Sequence, residues 1–158
     1  MQHNVHRLLG LAVALTLAVA ACGDSGSGGS LSIGNYCDPL QDQMLALAGA
    51  DAVADHIDFF VNEEENPSLH CIWVDEAAGV RVQVDYFSEP TALLIGASEG
   101  RRDLPGLDVP NGDIGGGHNM RAPNGWVIAF SYEVDSQFVD DPDALLRIAN
   151  AALELVGS

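Results

Sequence analysis

Leu69-His70-Cys71-Ile72-Trp73-Val74 and Val80-Arg81-Val82-Gln83-Val84-Asp85-Tyr86-Phe87, with Glu76-Ala77-Ala78-Gly79 between them, decide how this chain folds. In the second run Val80, Val82, Val84 and Tyr86 alternate with Arg81, Gln83 and Asp85. That is the period of a strand with one face buried and the other in water. Two β-rich runs joined by a short small-residue turn make a hairpin. Downstream, Met120 to Ala122 and Trp126 to Val134 flank Pro123-Asn124-Gly125, a strong turn signal, and predict a second hairpin.

Helical patterns surround these hairpins. Asp38-Pro39 reads as a helix start, with Asp capping and Pro in the first helical position, and Leu40, Met44 and Leu47 follow on one face up to Gly49. Asp141-Pro142 opens a last helix with Leu145, Ile148, Ala152 and Leu155 on one stripe. Another helix is expected from Pro90 through Ile95. The stretch 51–62 fits a helix through Val53, Ile57, Phe60 and Val61, and a strand through Ile57, Phe59 and Val61. Glu63-Glu64-Glu65-Asn66-Pro67 reads as a solvated loop, and Pro105, Pro110 and the glycines from Gly112 to Gly117 as a long connection. The expected fold is therefore α+β: an antiparallel sheet of about four or five strands packed against helices on one face, with one disulfide.

The N-terminus carries an address. Leu8 to Ala21 is an uncharged run following Arg7, the pattern of an export signal and too short to span a bilayer. Val19-Ala20-Ala21-Cys22 resembles the lipobox at which bacterial prolipoproteins are cut, with the Cys22 thiol taking up the diacylglyceryl group. An ordinary cleaved secretory signal is the competing reading. The Gly/Ser run from Gly23 to Ser30 favours the lipoprotein, because it has the composition of a flexible tether. Residues 1–21 are thus expected to be the signal peptide, 22–30 the tether and 31–158 a single domain, held on the extracytoplasmic face of the cell membrane by acyl chains on Cys22.

Charge narrows the partners. The chain has 23 acidic residues against six basic ones and a net charge of −17, and it contains no lysine. Such a surface repels phosphate backbones and anionic headgroups, which argues against nucleic acid and leaves the lipid to hold the membrane. With Cys22 assigned to lipid, Cys37 and Cys71 remain as an even pair in an exported domain and read as a disulfide. A metal site drawn from Cys37, His56, His70, Cys71 and His118 lacks any C-x-x-C or H-x-x-x-H spacing.

Taken together, Cys22, Cys37-Asp38-Pro39-Leu40, Cys71-Ile72-Trp73, the strand Val80 to Tyr86 and the helix Leu145 to Val156 resemble an actinobacterial lipoprotein family of unknown function, the DUF3558 group. The resemblance implies a cell-envelope domain with Cys37 bonded to Cys71 and Trp73 packed nearby. It offers no catalytic residues to transfer. The loop from Gly100 to Gly117 has no counterpart in that pattern.

Motifs for chemistry are sparse. Gly96-Ala97-Ser98-Glu99-Gly100 matches the G-x-S-x-G nucleophile elbow, and Asp103 or Asp108 and then His118 follow in triad order. An elbow needs a helix after the serine, and Arg101-Arg102-Asp103-Leu104-Pro105-Gly106 cannot run as one of useful length. The glycines of 112–117 lack the lysine of a phosphate loop. Asp135, Asp140, Asp141 and Asp143 lack the spacing of an EF-hand, and Asp141 is accounted for as a helix cap. Trp126 is expected to be buried at the base of its hairpin. No cofactor or metal is implied. The expectation is a non-catalytic lipoprotein that binds a protein partner or a small apolar ligand through the sheet face left open by the helices and the loop 100–117. A serine hydrolase using Ser98 and a structural spacer are the alternatives.

Overall fold

Val82, Val84 and Tyr86 are fully buried, while Arg81, Gln83 and Asp85 between them are only partly so. The alternation read from the sequence is thus the alternation of the structure. The computed structural model describes residues 31–60, 67–88 and 103–157, and for 58–60 and 67 the backbone alone. Cys22, the tether, the acidic run at Glu63, the helix expected from Pro90 and the motif around Ser98 lie outside the described residues.

In chain order the elements are α1 (Ile33–Tyr36), a 3-10 turn (Asp38–Leu40), α2 (Gln41–Ala48), β1 (Val53–Ala54), β2 (Ile57–Phe60), β3 (Pro67–Asp75), β4 (Val80–Phe87), β5 (Asn111–Ile114), β6 (Gly117–Arg121), β7 (Val127–Val134), β8 (Gln137–Phe138) and α3 (Pro142–Gly157). One antiparallel sheet takes in all the strands of the described residues, in the order β1-β3-β4-β7-β6-β5, with β2 also on β3 and β8 also on β7. Helices α2 and α3 pack on one face. The protein is therefore α+β, with helices on an antiparallel sheet and one disulfide, as the sequence indicated.

The register places the core. Cys71 lies opposite Val84 and Val84 opposite Phe130, while Leu69, Tyr86, Ile128 and Met120 form the next row. All of these side chains are buried, under Leu40, Met44, Leu145, Ile148 and Ala152 from the helices. Burying one Leu or Ile in this way stabilises by about 1.5–3 kcal/mol. Leu155 ends up half-buried, and its neighbour Val156 completes the stripe. Cys37 is bonded to Cys71 with the Cα atoms 5.3 Å apart, tying the N-terminal helical segment to β3. Trp73, two residues on, is fully buried, and its indole N–H donates to Gln41 Oε1 at 2.7 Å.

Some local expectations need correction. Asp38 makes no side-chain cap bond, because the chain is already helical before it: the Cys37 N–H donates to the Ile33 carbonyl and the Leu40 N–H to the Cys37 carbonyl. Asp141 does cap, accepting the Asp143 and Ala144 N–H groups at 3.0 and 3.1 Å. The ambiguous stretch 51–62 forms strands β1 and β2 where it is described. The connection up to Gly117 is in part a hairpin, since Asn111–Ile114 pairs with Gly117–Met120 around Gly115 and Gly116, whose φ values of +56° and +99° suit a tight turn. Trp126 is half-buried, with its ring 5.6 Å from Tyr36.

Candidate interaction face

Because side chains alternate along strands, every residue between the core positions of β3, β4 and β7 belongs to the opposite face of the sheet. No described helix packs there, although at one end the row Ser68, Phe87 and Val127 is buried, Phe87 and Val127 forming a small apolar cluster with Ala129. The pairing lines these residues up in rows across the strands. One row runs Val53, Val74, Arg81, Glu133, Phe138. The next holds Ile72, Gln83 and Ser131, and the one after it Ile57, His70, Asp85, Ala129 and Asn119.

The middle of the face is a polar network. Asp85 pairs with His70 Nδ1 at 2.9 Å and accepts both contacts of the Gln83 amide nitrogen, at 2.7 and 2.9 Å. Gln83 Oε1 in turn accepts the Arg81 guanidinium at 2.8 and 3.2 Å. Glu133 lies directly across the strand pair from Arg81, yet its carboxylate accepts from the Ser131 hydroxyl, at 3.5 Å. Asn119 is buried with its amide nitrogen unpartnered.

The margins are apolar. Val53, Ile57 and Phe138 are the exposed large hydrophobic side chains among the described residues, at 68, 47 and 50% exposure. All of them fall on this face, the first two at its β1–β2 margin and Phe138 at the other. Phe138 is held by a tight turn in which Asp135 and Ser136 take φ of 50° and 60°. Its ring covers Gly116, where a Cβ would clash with it. Beneath, Gly117, Ala129 and Ser131 are too small to fill the surface, so a hollow of about 150 Å³ opens between Phe138, Ile114, Gln83, Asp85 and Glu133.

Of the residues singled out from the sequence, His118 borders this hollow from beneath, and the other described ones lie elsewhere. Cys37 and Cys71 are consumed in the disulfide. His118 is buried on the helix-facing side, stacked on Phe130 with centroids 5.5 Å apart and paired with Asp113 at 3.5 Å. Asp103 and Asp108 instead line a cleft of about 610 Å³ whose described walls all come from the loop Asp103 to Asn111. Among the described residues no group of three His, Cys, Asp or Glu side chains is placed to hold a metal ion, and no helix is long and apolar enough to cross a membrane. Phe138 went unnoticed in the sequence, because its hairpin turns on Asp-Ser and not on the expected Asn-Gly or Asp-Gly. No family model, no curated protein and no solved structure matches the chain.

Proposed function

We propose that the chain is a non-catalytic lipoprotein of the cell envelope, anchored through Cys22, whose domain docks a protein partner on the open face of its sheet. The observation that carries this reading is the placement of Val53, Ile57 and Phe138: the exposed large hydrophobics of the described residues share one face and bracket a polar network. Scattered singly, such residues need no explanation, but gathered on one surface with a polar centre they fit an interface. The disulfide between Cys37 and Cys71 suits a domain exported to an oxidising compartment. A small apolar ligand is the second reading, favoured by Leu104, Leu107 and Val109 in the loop cleft, although Asp103 and Asp108 share that cleft and suit an apolar ligand poorly.

Site-specific photo-crosslinking in intact envelopes tests the docking reading. A photoreactive residue at position 138 or 53 is expected to yield a discrete adduct, and one at position 147, exposed on α3, to yield none. Adducts that are equal from all positions, or absent from the open face, would refute it.

A further inference from the structure

We propose that the hollow beside Phe138 receives the cationic side chain of a basic protein partner, an arginine or lysine carried on an extended segment laid across the open face. This rests on the docking reading above and adds the chemistry of the partner.

Size comes first. Sites for drug-sized ligands are typically about 300–1,000 Å³. A hollow of about 150 Å³ suits one long side chain better than a free organic molecule. Its floor is low because Gly117 has no side chain and Ala129 and Ser131 have short ones.

The walls match the two parts of such a side chain. Ile114 and the Phe138 ring offer an apolar flank for an alkyl stem, and the ring face attracts a cation. Glu133 and Asp85 supply carboxylates. They are not equivalent. Asp85 is already committed to His70 and Gln83, which hold it in place. Glu133 faces Arg81 across the strands, but the Arg81 guanidinium turns along its own strand to Gln83. The charge of Glu133 is therefore left for a cation from outside, with the aromatic ring of Phe138 next to it in the same row.

Whole-chain charge points the same way. At −17, and with no lysine, the protein attracts cationic partners over a distance and repels a second copy of itself, phosphates and anionic headgroups.

The test uses the full mature protein in detergent and two labelled probe peptides, one with arginines alternating with valines and one with glutamate at each arginine position, followed by fluorescence anisotropy. The arginine peptide is expected to bind saturably and the glutamate peptide not to bind. Glu133→Gln and Phe138→Ser should each weaken binding by about tenfold, the scale of losing a partly desolvated charge pair or a ring–cation contact. Asp42→Asn, which removes the same charge from an exposed position on α2, should change it by less than about twofold. Phe138 is half exposed, so its variant keeps the core intact, as an unchanged thermal melt would show. Equal weakening by Asp42→Asn and Glu133→Gln would reduce the effect to diffuse charge attraction and overturn the proposal, as would failure of the arginine peptide to bind. If that peptide fails while adducts from position 138 persist, the face docks its partner by other chemistry. If both fail, the docking reading falls as well.

Discussion

His56 stands in for a piece of main chain. Its Nδ1 accepts the Ile72 N–H at 3.0 Å, at the point where the pairing of β1 and β2 with β3 is interrupted, and its ring meets Trp73 edge-on at 4.8 Å. The lone pair on Nδ1 has to be free for that bond, so the ring is neutral, with its proton on Nε2, which is buried without a partner. Burial pulls the His56 pKa below the ordinary imidazole value, against the nearby Asp38 and Asp55 carboxylates that raise it. A depressed pKa means that the unfolded chain binds the proton more readily than the folded one. The stability contributed by neutral His56 is then full above the unfolded value of about 6.5 and is lost as pH falls through the lower folded value. His56→Gln, which keeps a polar side chain without the titration, is expected to show a smaller drop in melting temperature between pH 7 and pH 5 than the wild type. An equal drop would assign the acid sensitivity to other groups. From the sequence His56 could be weighed only as a metal ligand, because nothing in a run such as Ala54-Asp55-His56-Ile57 announces a ring replacing a backbone acceptor.

Among the elements, the legible ones are those whose side chains carry a period. The alternation of β4 and the apolar stripe of α3 are visible because each buries one side against the core. Strand β5, Asn-Gly-Asp-Ile, has almost no β-forming residues and is held by its pairing to β6, so its composition reads as loop. Strand β8 is two residues long and gives no period at all. The candidate face divides along the same line. Arg81, Gln83 and Asp85 could be assigned to the solvent side from alternation alone, whereas Phe138, Ile114 and Gly117 come together only through strand order. The disulfide is the element-scale bond that matters most, since it fastens the segment before α2 to the central part of β3 across a sequence separation of 34. A loop of that length is worth ~3 to 4 kcal/mol in the chain-entropy account. The double variant Cys37→Ser, Cys71→Ser is expected to lose about that much in urea unfolding, and a loss under about 1 kcal/mol would contradict the account.

For the whole molecule, charge and the proposed anchor work in opposite directions. The acidic surface is repelled by anionic headgroups, so on the reading proposed above attachment would depend on a lipid on Cys22. Cys22→Ser protein is expected in the soluble fraction after a salt wash, with the wild type remaining in the membrane fraction. Retention of the variant would rule out lipid anchoring. Lipid anchoring would also crowd copies of the domain on one surface, where a sheet with free margins is at risk of growing from chain to chain into fibrils. The break at Asp55–His56 bears on that risk. It divides one margin into runs of two and four residues, and at the other margin β5 is four residues long and preceded by Pro110. Among the described residues neither margin presents a long unbroken ladder for another molecule to extend, so the histidine that interrupts the pairing would also help to keep crowded copies from aggregating.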